Sequence, residues 1–288
     1  MTMDHISSHK FIVRGSCPDQ AGIVSRITTC LYENGLNIEE AAQFNDQPSG
    51  YFFFRIVCSC SSPTLCPNFR PDFERVATSL AMDWGIYPLE QKTRTLLMVS
   101  KSDHCLNDIL YRWQNKLLPI DITAVISNHD THRAQVEAKG LPFLHLPVSA
   151  ENRAAQELAI QNVIADTASE LIVLARYMQV LSDDMSRMYH GRIINIHHSF
   201  LPGFKGAKPY HQAYDRGVKM IGATAHFVTS DLDEGPIIEQ DIARITHAHT
   251  PEKLQIIGQD IESRVLASAI LAYAERRVFL HGHRTVIL

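Results

Sequence analysis

No apolar run in the chain approaches the 18 or so residues of a membrane span. The first ten residues, with Asp4, His5 and Lys10, lack the apolar centre of a secretion signal. Basic excess is missing too: 27 Lys and Arg face 31 Asp and Glu, a net charge of −4 with no basic stripe. A nucleic acid is therefore not an expected partner, nor is a membrane. The six cysteines, Cys17, Cys30, Cys58, Cys60, Cys66 and Cys105, are too few and too unevenly spaced for a disulfide framework. Free buried thiols are expected. Cys58, Cys60 and Cys66 lack Cys-x-x-Cys spacing and an obvious fourth ligand, and His247, His249, His281 and His283 read as surface residues, so no metal is expected. Neither a dinucleotide fingerprint nor a P-loop occurs, which removes the usual nucleotide cofactors. Internal repeats and low-complexity segments are also lacking.

What is present is the balance of a globular enzyme of the cytoplasm, with 45% hydrophobic and 20% charged residues. Its 288 residues suffice for two domains, each with its own core. Residues 1–91 carry the pattern strand, helix, strand, strand, helix, strand. Phe11-Ile12-Val13 begins it; Pro18-Asp19-Gln20 reads as the start of a helix with Ile23, Ile27 and Leu31 at helical spacing and Asn34-Gly35 as its stop. Residues 37–44 and 51–58 read as strands joined by the turn-rich segment 45–50, followed by a helix over 69–84 and a strand over 86–89. This βαββαβ order is the ferredoxin-like plan.

From about residue 92 to residue 288 strands and helices alternate. Residues 96–100, 122–127, 143–146 and 171–175 are strand-like; 106–117, 131–139 and 152–167 are helical; residues 251–277 carry a long apolar stripe at helical spacing. Such alternation predicts a mainly parallel, Rossmann-like sheet covered by helices. Within it, Asn195 and His197 follow the apolar pair Ile193-Ile194, so they fall at a strand end with both side chains on one face. Ligands of α/β folds bind at that edge of the sheet. After a second apolar run, residues 221–228, the carboxylate of Asp233 lies in a polar loop closed by Glu234-Gly235-Pro236. An amide, an imidazole and a carboxylate can thus converge on one pocket. Taken singly, Asn195 could cap a turn, His197 could satisfy a buried backbone group and Asp233 could close its own turn.

The run Asn195-Ile196-His197, Ser199-Phe200-Leu201-Pro202, Gly206 and the distant Asp233 resembles the formyltransferase and formyl-hydrolase family that uses 10-formyltetrahydrofolate. The string from His197 to Ala207, with Pro209-Tyr210-His211-Gln212-Ala213-Tyr214, looks most like that family's deformylase branch. The resemblance covers residues 93–288 and implies a formyltransferase fold, with the folate as substrate and no further cofactor. Hydrolysis of the formyl group would yield formate for purine synthesis and free tetrahydrofolate. It needs a donor for the developing oxyanion, for which Asn195 suits, and such a donor can be worth about 3–4 kcal/mol. His197 is the general acid/base, since an imidazole exchanges its proton near neutral pH. Asp233 could orient water, accept its proton or stabilise a protonated His197. Met178, Val180 and Leu181 resemble the family's pterin-binding edge, and His226 and Thr229 are further substrate-binding candidates. Residues 202–208 could enclose the substrate, with lysines for its acidic tail.

The loop Cys17-Pro18-Asp19-Gln20-Ala21-Gly22-Ile23-Val24 resembles the opening of an ACT domain, a module that often binds small amino acids at paired interfaces. The resemblance implies an amino-acid effector, held by Asp19 with close backbone approach at Gly22, and a homodimer or homotetramer. Asp19 could instead only cap the following helix. Two other readings compete. A glycinamide ribonucleotide formyltransferase needs a phosphate cradle, but segment 100–107 has no glycine and puts Asp103 where phosphate would sit. An amino-acid-binding regulator with an inactive second domain fits poorly with an intact Asn195, His197 and Asp233.

Overall fold

The computed structural model describes residues 9–60, 69–202 and 209–288. Cys66 lies outside them, as do Lys205, Gly206 and Lys208, and with them most of the loop expected to enclose a substrate. The chain divides into two compact units, residues 1–91 with 276–279 and 286–288, and residues 92–275 with 280–285.

The first unit runs β1 (His9–Pro18), α1 (Ile23–Glu33), β2 (Leu36–Asp46), β3 (Tyr51–Cys60), α2 (Phe69–Ser79) and β4 (Asp83–Pro88). Its strands pair antiparallel in the order β2-β3-β1-β4, the ferredoxin-like arrangement expected. Ile23, Ile27 and Leu31 of α1 and Phe69, Phe73 and Ala77 of α2 bury the stripes that their spacing announces, against Val13, Phe52, Phe54 and Ile56 of the sheet. Three details differ from expectation. The first strand extends through Pro18, so α1 begins only at Ile23, behind Gly22. Gly22 takes φ 89°, a left-handed conformation that glycine reaches without a Cβ penalty; a Cβ there would meet nothing within 4 Å, so conformation and not close approach explains the glycine. Asp19 does not cap α1: its carboxylate accepts from Asn45 Nδ2 at 2.6 Å. The second helix ends at Ser79, not at Trp84, because the chain turns through the left-handed Ala81 and Trp84 joins a strand that pairs with β1.

The second unit contains β5 (Thr93–Val99), α3 (His104–Gln114), β6 (Ile120–Ser127), α4 (Arg133–Glu137), β7 (Phe143–His145), α5 (Arg153–Asp166), β8 (Leu171–Leu174), α6 (Asp183–Met188), β9 (Ile193–His197), α7 (Pro209–Asp215), β10 (Met220–Phe227), β11 (Ile237–Arg244) and α8 (Pro251–Ala274). Its seven strands lie in the order β11-β10-β9-β8-β5-β6-β7. Strands β5 to β9 are parallel, while β10 and β11 continue the sheet antiparallel. Leu96, Leu97, Met98 and Val99 are all fully buried, as strands covered on both faces require. The first strand, β5, lies between β6 and β8, so the chain leaves it in both directions and opens a crevice at the carboxyl ends of β5 and β8. Sequence patterning missed α6, α7 and the edge strand β11, whose exposed, polar positions blur the two-residue period. Among the described residues no helix is long and apolar enough to cross a membrane.

Helix α8 starts where Thr250 accepts from the Lys253 N–H and Pro251 follows, a regular amino-terminal signal. It ends at Ala274 rather than residue 277, since Arg276 takes φ 60°. Its Gly258 lets α7 pack close: a Cβ there would lie 2.0 Å from the Tyr210 hydroxyl. Alanine inside a helix normally gains about 1 kcal/mol over glycine. Gly258→Ala is expected to do the opposite and lower the melting temperature, and a melting temperature equal to or above the parent's would contradict the packing described.

Candidate active site

Strand register assembles the site. Asn195 and His197 are two apart on β9, and β10 runs antiparallel beside them with His226 directly opposite Asn195 and Thr224 opposite His197. Cross-strand partners share a face, so these four side chains form one polar patch on an otherwise apolar sheet. Ile194 and Ile196, the alternate residues, are buried on the other face. Thr224, fully buried, donates to Ser199 O and accepts from Leu201 N–H and Gln240 Nε2, which ties the chain leaving β9 to β10.

Asp233 reaches this patch from the loop after β10. Its φ of 59° is left-handed, a conformation aspartate tolerates better than most residues. Two positions on, Gly235 lies so close to β10 that a Cβ would come within 1.7 Å of Phe227 O. The loop is therefore pressed onto the strand, and Asp233 Oδ1 stands 3.2 Å from His197 Nδ1 and 3.7 Å from His226 Nε2. Burial works to raise the Asp233 carboxyl, but the hydrogen bond from His197 and the nearness of the His197 and His226 imidazoles overcome it and hold the group well below the usual carboxylate range. An ionised Asp233 accepts from His197 Nδ1–H, which makes Nε2 the nitrogen where a proton comes and goes. His226 Nδ1 donates to Phe227 O at 2.8 Å, so its Nε2 accepts from Asn195 Nδ2 at 3.2 Å. One amide hydrogen of Asn195 is thereby occupied and its orientation set; the second is the one that a carbonyl oxygen could use.

These groups line a cavity of about 580 Å³. Met178 and Val180 are more than half exposed on its wall, with Leu232 beside them, while Leu181 is mainly part of the core. The segment that carries them is held from behind. Ser100 Oγ accepts from Met178 N–H at 2.9 Å, Glu157 accepts from Ser182 N–H at 2.8 Å, and Arg153 donates to Val180 O. Those backbone groups are thus committed to the fold. Thr229 lines the cavity with its hydroxyl donating to Asp231 O, and His226, the other substrate-binding candidate, spends both ring nitrogens on the protein.

Sequence reasoning missed the second half of the polar wall. Glu262, 1% exposed on α8, accepts from His104 Nε2 at 2.9 Å and Tyr210 Oη at 2.5 Å and pairs with Arg176 Nε at 3.3 Å. Burial opposes its charge, and these partners together hold its carboxyl low. A signal existed: Glu262 falls in the four-residue series with Leu254, Gly258 and Leu266, on the inward face of α8. Arg176 in turn donates to His198 Nδ1 at 2.5 Å.

A parallel α/β sheet carrying an amide, an imidazole and a carboxylate at one strand edge is the architecture of the formyl transferases. The formyl transferase family model matches residues 93–270, and an ACT domain model matches residues 12–63. The chain is 47% identical over 273 residues to a formyltetrahydrofolate deformylase of Corynebacterium sp. (strain P-1), covering 94% of this chain and 96% of that one. A formyltetrahydrofolate deformylase structure from Burkholderia mallei superposes with TM-score 0.93 at 47% identity, covering 97% of this chain and 99% of that one. Glycinamide ribonucleotide transformylase 1 of Symbiobacterium toebii matches less far, with TM-score 0.65 and 32% identity over 69% of this chain and 95% of that one. The chain belongs to the formyltetrahydrofolate deformylase family.

Burial, with the charges of Arg176 and His197, pushes the His198 imidazole down to about 4. The unfolded ring takes its proton near 6.5, so between about pH 6.5 and 4 the unfolded chain binds more protons than the folded one, and stability falls as the pH drops through that window. Asp233 and Glu262, held low, add a further loss below about pH 4, where the unfolded carboxyls protonate first. Denaturant titrations are expected to lose on the order of 3 kcal/mol to His198 by pH 4. His198→Asn should flatten the upper part of the curve, and an unchanged slope there would refute the assignment.

Proposed function

We propose that the chain hydrolyses 10-formyltetrahydrofolate to formate and tetrahydrofolate. The observation that carries this reading is the convergence of Asn195, His197 and Asp233 on one cavity in a chain that matches the deformylases over nearly its full length. Water adds to the formyl carbon, negative charge collects on the formyl oxygen, and the carbon–nitrogen bond then breaks with a proton delivered to the leaving nitrogen. Asn195, whose amide is already oriented by His226, donates to that oxygen. His197 moves the proton through Nε2. Asp233 holds His197 by its Nδ1–H and stabilises the imidazolium. The exposed Met178, Val180 and Leu232 supply an apolar wall for the pterin. No metal or nucleotide takes part in this scheme; the folate is the substrate.

The released formate would feed purine synthesis. A reducing cytoplasm suits the buried cysteines Cys17, Cys30, Cys58, Cys60 and Cys105. We read the ACT-like unit as the sensor of a small amino acid, with the exposed Asp19 carboxylate and the Gly22 turn as its contact, in a homodimer or homotetramer.

Purified protein supplied with 10-formyltetrahydrofolate is expected to release formate without any acceptor; product formed only when glycinamide ribonucleotide is added would make it a transferase. Asn195→Ala should lower kcat by about 10²–10³-fold, and His197→Gln and Asp233→Asn by about 10²–10⁴-fold, with melting temperatures near the parent's. Full activity in all three would sink the site assignment. Screening the small amino acids should find one that changes turnover in the parent and loses that effect in Asp19→Ala, which keeps its basal rate; an identical response in both would remove Asp19 from the effector site.

A further inference from the structure

The scheme above uses one imidazole, but two stand together in the cavity wall. The rings of His197 and His198 are stacked, with centroids 5.0 Å apart and planes 19° from parallel. Two charged imidazoles at that separation would repel each other, so the surroundings must decide which ring takes a proton.

They do so through hydrogen-bond logic. A guanidinium has donors only, and Arg176 Nη1 donates to His198 Nδ1 at 2.5 Å. Nδ1 must therefore present its lone pair, and the ring proton sits on Nε2, which is buried and has no partner among the described residues. Protonating Nδ1 would set one N–H against another. Arg176 is held at this position by the charge of Glu262, whose carboxylate lies 3.3 Å from its Nε as an ion pair and is shared with His104 and Tyr210. Four charged or titratable groups act on His198. Burial is the largest influence and opposes its charge; Arg176, after β8, and His197, on β9, add to that opposition, while Glu262, on α8, and Asp233, after β10, favour the charge, and the net direction is strongly downward. Tyr210 of α7 presents its ring at 6.4 Å.

The donor atoms of His104, Cys105 and Glu262 lie within 4.8 Å of one another, a spacing that metals use. Here the cation is already supplied: Arg176 neutralises Glu262, and burial keeps the Cys105 thiol protonated.

We propose, resting on the hydrolase reading, that Arg176, anchored on Glu262, is a positioning residue. It holds His198 neutral with its proton on Nε2, so that His197 alone of the stacked pair carries the proton of the reaction.

The test uses full-length protein labelled with ¹⁵N-histidine, the His198 signals being assigned by their loss in His198→Asn. The parent ring is expected to stay in the neutral Nε2–H form from pH 8 to 5.5. In Arg176→Met the ring should gain Nδ1–H character and titrate at a higher pH than the parent's, and kcat/KM should fall more steeply than the parent's between pH 8 and 5.5. A parent ring that is protonated or Nδ1–H at pH 7 overturns the proposal, whether or not Arg176→Met folds. So does an Arg176→Met protein with the parent's spectrum and pH profile. The spectrum needs no substrate, so a protein that released no formate would remove the hydrolase reading while the tautomer was still measured.

Discussion

The pairing of β10 with β9 is the constraint from which the rest of the site follows. With His226 opposite Asn195 and Thr224 opposite His197, one polar face is built from two short strands distant in sequence. A slip of β10 by one residue would turn Thr224 and His226 toward the apolar layer beneath and bring Ala225 to the face that carries Asn195 and His197. The register is held at both ends. Thr224 ties the chain leaving β9, and the close approach of Gly235 to Phe227 presses the following loop down until Asp233 meets the imidazoles.

Two carboxylates then organise the electrostatics. Asp233 serves the front, where it orients His197 and lies near His226. Glu262 serves the back, where it anchors Arg176, His104 and Tyr210. A buried carboxylate without partners would cost several kcal/mol or protonate. Each of these has enough partners to remain ionised, and each in turn fixes the proton positions of its neighbours. The consequence is a division of labour between adjacent histidines that differ by one residue in sequence and by a hydrogen-bond donor in environment.

The amino-terminal unit follows a simpler logic, with four antiparallel strands, two helices on one face and a core of Ile, Leu, Phe and Cys side chains. Its informative feature is the turn between Pro18 and Ile23, where a left-handed glycine starts α1 without a side-chain cap. Asp19 is thereby left at the surface with Asn45 as its partner.

Much of this was legible in advance. Helical spacing marked α1, α5 and α8, apolar runs marked β5, β6 and β8, and the motif around Asn195 and His197 pointed to the family, because these are local signals carried by neighbouring residues. The edge strand β11 and the short helices α6 and α7 escaped, since half-exposed or brief elements leave weak periodicity. Glu262, Arg176 and His104 escaped for a different reason. Spacing put Glu262 on the inward face of α8, but nothing local shows that it meets Arg176 and His104; their burial and partners arise only when α8, the end of β8 and the start of α3 come together. The sequence by itself determined the long, strongly patterned elements, the fold class and the family motif around Asn195 and His197. Only the tertiary structure decided the strand register, which glycines are obligatory and which histidine is kept neutral, because each of these depends on distances between residues that the chain keeps far apart until it folds.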